Sequence, residues 1–96
     1  RAVKGGRTYA GREYQKHMDK GELPKVGGNY LDSAGQNLLD DILTDPNADY
    51  QFDVSDRFPG GYTVISNSVV NGKFVGATFD SNGVFQYFGV YPRYDP

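Results

Sequence analysis

The hydrophobic spacing of this chain changes period at Pro46, and that change limits the fold more than any other feature of the sequence. Ahead of Pro46, apolar residues recur at helical intervals. Ala10, Tyr14 and Met18 form one stripe within Tyr9–Lys20, where Gly11 is the only breaker. Gly21 follows as a helix-ending residue, with Pro24 beyond it. Ala34, Leu38 and Ile42, flanked by Leu39 and Leu43, form a second and wider stripe. Ser33-Ala34-Gly35-Gln36 has the form of a capping box, Asp32 adds negative charge at the start, and Thr44-Asp45-Pro46-Asn47 stops this helix.

Beyond Pro46 the pattern is strand-like. Asp49–Val54 alternates weakly, Pro59-Gly60-Gly61 breaks the chain, and Tyr62–Asn67 sets Tyr, Val and Ser against Thr, Ile and Asn. Asn71-Gly72 is a two-residue hairpin signal between Ser68–Val70 and Lys73–Asp80. Asp80-Ser81-Asn82-Gly83 turns the chain into Val84–Tyr91, and Pro92 ends that strand. Gly76 within a strand marks a bulge or a close approach. Helices first and a meander afterwards predict an α+β domain, with two N-terminal helices packed on one face of a four- to five-stranded antiparallel sheet.

The chain has 96 residues and no Cys, so one modest core must hold it by packing alone, without disulfides or thiolate zinc sites. No run approaches the roughly 18 apolar residues of a membrane span. The opening Arg-Ala-Val-Lys-Gly-Gly has no initiating Met. It reads as a piece of a longer polypeptide, with residues 1–8 as linker and 9–96 as the domain.

Charge is unevenly spread. Residues 1–28 carry seven Lys/Arg against three acids, a balance of +4, and residues 29–96 carry three Lys/Arg against nine Asp, a balance of −6. His17, the only histidine, lies in the basic part beside Lys16, at the edge of the first apolar stripe. A basic surface attracts phosphates, and a histidine there has an unperturbed pKa near neutrality. A glycine-rich phosphate loop, HExxH, GxSxG and any Cys/His metal spacing are all missing. Asp40 and Asp41 point about 100° apart on a helix and make a poor chelate, so solvation of the helix surface is their ordinary role. Metal-free RNA cleavage fits what is left. The ribose 2′-hydroxyl supplies the nucleophile, and the protein need add only a base, an acid and groups for the charge on phosphate.

Three segments carry a resemblance: Gly11–Pro24, with Glu13-Tyr14-Gln15-Lys16-His17 at its centre; Leu38–Pro46; and Ala77–Tyr91, with Asp80-Ser81-Asn82-Gly83. Together they resemble C-terminal toxin domains of bacterial polymorphic toxins, the CdiA-type contact-dependent inhibition proteins and their haemagglutinin-like and Rhs relatives. The order of elements is similar to the nuclease domain of colicin D, in the fold group of barnase, EndoU, the colicins and RelE. The resemblance implies an endoribonuclease that cuts tRNA and needs no cofactor. It implies export within a large surface or secreted protein, action in the target-cell cytoplasm, a cognate immunity protein as partner, and a host translation factor as a further contact.

In colicin-D-like domains the Lys-His pair of the first helix carries catalysis, which maps to Lys16 and His17. Last-strand residues assist, here within Gln86–Tyr91, and the colicin's Ser and Trp fall at Tyr87 and Gly89. Tyr87, Tyr91 and Thr78 complete the expected catalytic set. Arg7, Arg12, Lys20, Lys73 and Arg93 are expected to gather around it as an RNA-binding surface, with the second helix facing away. Two alternatives stay open: a metal-dependent DNase using Asp80 and the Asp40/Asp41 region, and a non-catalytic binding module with a Tyr-lined sheet.

Overall fold

A computed structural model describes residues 3, 4, 6–52, 57–70 and 72–92. Within the stretch read as linker, a short hairpin pairs β1 (Val3–Lys4) with β2 (Arg7–Thr8). Helix α1 (Tyr9–Asp19) and helix α2 (Leu31–Thr44) follow, then β3 (Asp49–Phe52), β4 (Tyr62–Ser66), β5 (Phe74–Phe79) and β6 (Phe85–Tyr91). The last four form one antiparallel sheet in the order β3-β4-β5-β6, as the sequence predicts. No helix among the described residues is long and apolar enough to cross a membrane.

Both helices lie on one face of the sheet. Ala10, Tyr14, Leu31, Leu38 and Ile42 meet Val64, Val75, Ala77, Phe79 and Phe88 in a single core. The helices cross where glycine removes the side chain from each. A Cβ on Gly35 would run into the backbone of Ala10, and one on Gly11 would strike the Asp32 carboxylate. Gly11 is therefore a contact residue, and α1 continues through it.

Several expectations need correcting. α2 begins at Leu31, two residues before Ser33, after a single 3-10 turn at Gly28–Tyr30, and its N-cap Tyr30 makes no side-chain cap. The Ser33–Gln36 capping box is not used, and Gln36 instead donates to Asp40 one turn on. Asp32 serves the other helix. Its Oδ1 accepts from the Thr8 amide and hydroxyl, while the Thr8 hydroxyl oxygen caps α1 at the Gly11 amide. Ser68–Val70 is a bend and not a strand, although the turn after it is real: Lys73 N–H donates to Val70 O, with Gly72 at φ 76°. Asn71 and Val54 lie outside the described residues.

Gly76 is a close approach and not a bulge. A Cβ there would sit 3.2 to 3.3 Å from side-chain atoms of Ile65, Tyr91 and Thr63. The irregularity lies beyond the second pair further along, where Thr78 pairs with Tyr87 but Phe79 pairs with Phe85, leaving Gln86 extra. Phe85 and Phe88, three residues apart, consequently both face the core.

Candidate functional site

The C-terminus of α1 is built by a Schellman motif. Gly21 at φ 75° lets its own N–H reach Met18 O and lets the Glu22 N–H reach His17 O, both at 2.9 Å. This fold-back carries the Glu22 side chain onto the His17 ring, with Oε1 2.7 Å from Nδ1. The Tyr14 hydroxyl donates to Pro24 O and ties down the segment that follows, while the Lys73 ammonium donates to Glu22 O.

His17 is 8% exposed, and its Nε2 lies 2.7 Å from the main-chain carbonyl of Phe88 on the outermost strand. A carbonyl only accepts, so Nε2 carries a hydrogen. The second proton is shared between Nδ1 and Glu22. The Glu22 carboxyl is held below its usual range, first by the hydrogen bond from His17 and further by the charges of His17, Lys20 and Lys73, against a desolvation cost. His17 thus has a fixed partner at each nitrogen and acts as a cross-link between α1 and β6.

Helix and strand run alongside one another in the same direction. Four residues of helix rise about 6 Å and two residues of strand about 6.6 Å, so as His17 meets Phe88, Glu13 comes beside Gln86. Those two, with Tyr9 and Arg12, line a groove of about 180 Å³. Glu13 Oε1 is shielded from solvent and has no hydrogen-bond partner among the described residues. An unsatisfied buried acceptor costs about 1–3 kcal/mol, so its persistence calls for an explanation. A second groove along the same helix is lined by Arg12, Glu13, Gln15, Lys16 and Asp19.

The expected site residues divide into three places. Arg12 and Lys16 stand exposed on α1 and Lys20 at its C-cap, and Arg12 and Lys16 make no ion pair among the described residues. Arg7 is occupied at the other end of the helix, donating to Gly28 O beside Asp32, and Lys73 is occupied at Glu22. Arg93 lies outside the described residues.

Tyr87, Tyr91 and Thr78 do come together, but on the sheet face turned away from the helices and from His17 and Lys16. There the Thr78 and Thr63 hydroxyls share a hydrogen bond of 2.8 Å, and the Tyr91 ring lies over Gly89 and reaches Gly76. Burial, helped by the neighbouring Tyr87, raises the Tyr91 phenol above its ordinary value.

Asp80 is consumed by its own turn. One carboxylate oxygen accepts the amides of Asn82 and Val84, and the other accepts from Gln86. No group of three or more His, Cys, Asp or Glu suited to a metal ion occurs among the described residues.

Sequence reasoning gave no role to Glu13, Glu22 or Tyr9, and took in Gln86 only as the start of the last-strand stretch. Two of them had a signal. Glu22 occupies the position after a C′ glycine, which the Schellman geometry returns to the last turn, and Glu13 precedes His17 by one helical turn. Comparison with protein-family models, with curated proteins and with solved structures gave no match.

Proposed function

We propose that this chain is a metal-independent endoribonuclease of the interbacterial toxin type, cutting tRNA by 2′-hydroxyl attack and neutralised by a cognate immunity protein. The observation that carries this reading is the separation of charge on the folded chain. Residues 29–52 hold five Asp and no Lys or Arg, and they form α2 and β3 at one side of the sheet. Arg12 and Lys16 lie on α1 and Lys20 at its C-cap, at the β6 side, and polar grooves run along the helix. A polyanion approaching α1 therefore meets cations without crossing the acidic side. The resemblance of Gly11–Pro24 and Ala77–Tyr91 to colicin-D-like toxins supports the same substrate class.

Lys16 and Arg12 are the cationic pair for the phosphate in this proposal. Tyr87, Tyr91 and Thr78, across the sheet, are not part of it. Delivery within a larger exported polypeptide and action in the cytoplasm of the target cell belong to the same reading.

The experiment is expression of the domain without its partner, followed by sequencing of RNA ends from the intoxicated cells. The expected outcome is 2′,3′-cyclic-phosphate ends at one tRNA position, reproduced by purified protein in excess EDTA and reduced at least tenfold by Lys16→Ala. Intact RNA with degraded DNA, or cleavage abolished by EDTA, defeats the reading.

A further inference from the structure

Along the seam between α1 and β6, His17 and Glu13 each carry a group that can take a proton from substrate. His17 has neither nitrogen free. Its Nε2 is bound to the Phe88 carbonyl and its Nδ1 to Glu22, and freeing either loosens α1 from β6 or opens the helix end. Glu13 is the reverse case. Its shielded oxygen has no hydrogen-bond partner among the described residues, and the residue lines a groove together with Tyr9, Arg12 and Gln86. A guanidinium, a carboxylate, a phenol and a carboxamide converge there. The first three supply the charge, the base and the acid that phosphodiester transfer needs, and the carboxamide, held by Asp80 and Val84, forms the wall.

We propose that Glu13 is the general base of this site, with Arg12 on the phosphate and Tyr9 as the acid, and that His17 is a positioning residue. This rests on the ribonuclease reading given above. In the step, the 2′-oxygen forms a bond to phosphorus while the bond from phosphorus to the 5′-oxygen breaks. The 2′-hydroxyl proton passes to the Glu13 carboxylate, and the leaving 5′-oxygen takes the phenolic proton of Tyr9. Water then carries the proton from Glu13 back to the Tyr9 phenolate. The products are a 2′,3′-cyclic phosphate and a 5′-hydroxyl. The Gln86 amide is held by Asp80 and by the Val84 carbonyl, so Gln86 walls the groove and takes no part in the step, and the bond from His17 to Phe88 keeps it beside Glu13.

The test compares the intact chain with Glu13→Gln, Glu13→Asp and His17→Gln. It measures the cleavage rate of a tRNA against pH, the affinity for a 2′-O-methyl RNA that cannot be cut, and the thermal midpoint. Glu13→Gln is expected to lose at least a hundredfold in rate and to lose the fall in rate at acid pH. Its thermal midpoint and its affinity for the uncut RNA should be kept, because the amide has the shape of the carboxylate. Glu13→Asp should recover part of the rate together with the acid limb. His17→Gln should lower the thermal midpoint while the residual rate keeps the acid limb of the parent.

If the parent cuts RNA and Glu13→Gln cuts it equally well, Glu13 is not the base and the ribonuclease reading survives. Loss of the acid limb in His17→Gln, with Glu13→Gln retaining it, assigns the base to His17 and overturns the proposal. A parent that leaves RNA intact in EDTA removes both readings together.

Discussion

The two outer strands of the sheet are treated in opposite ways. β6 has α1 laid along it, and its Phe88 carbonyl is taken by a buried side chain from that helix. β3 has no further strand beside it among the described residues, and the helices do not reach over it. Tyr50 and Phe52, which pair across from the inward-facing Val64 and Tyr62, are consequently 48% and 69% exposed. The same face of one sheet is thus core at β4–β6 and bare at β3. Two helices suffice to cover three strands, and the chain has placed its polar cross-link at the covered end. The uncovered strand carries a single acid, Asp49.

The largest effect should come from His17→Ala. It leaves the Phe88 carbonyl without a partner and removes a charge-assisted bond to Glu22, the latter discounted because Glu22 is one-third exposed. The expected loss is roughly 2–3 kcal/mol, read as a drop in the urea midpoint, with hydrogen exchange accelerating in β6 before β3. Equal acceleration in both strands would erase the distinction between the edges.

Gly35→Ala comes next. Its new methyl meets Ala10 backbone rather than a yielding side chain, and the expected cost is about 1–3 kcal/mol, with α1 pushed off α2. Chemical denaturation checks it, and a neutral result would mean that the crossing is looser than the close packing of Gly35 on Ala10 implies.

The pH response sharpens the comparison further. Glu22 is depressed in the fold, so its contribution is complete above the ordinary Glu value and is lost as pH falls through the lower folded one. Asp45, whose carboxylate accepts from the Ser66 hydroxyl and from the Asn47 amide near the other edge, is depressed as well and loses its contribution in the same direction. Glu22→Gln should therefore flatten the acid loss of protection in β6, while Asp45→Asn flattens it around β4. The smallest effect belongs to Phe52→Lys. An exposed ring on the bare strand changes stability by less than about 0.5 kcal/mol, and light scattering should show reduced self-association.

Much of this arrangement is legible in the residues, and the failures have identifiable causes. Gly21 marks the end of α1, and the alternation after Pro46 locates the strands, because both signals are local. The start of α2 is misread because Asp32, which looks like helix-start charge for α2, is spent on Thr8 in another element. The expected catalytic set fails to assemble for a different reason. Strict alternation from Phe85 places Tyr87 and Tyr91 on the core side, but the extra residue Gln86 moves both to the far face. A one-residue bulge leaves little trace in sequence and reverses the parity of everything after it. Glu13 looks like surface charge beside Arg12 and Lys16, and only the fold shows what shields it.

The parallel course of α1 and β6 has a mechanical consequence. These elements stand near opposite ends of the chain, and one of the hydrogen bonds joining them links residues 71 positions apart. Tension applied between Tyr9 and Tyr91 runs along their seam, so helix and strand must slide past each other in shear before either peels away. Were they antiparallel, the same pull would unzip them one contact at a time.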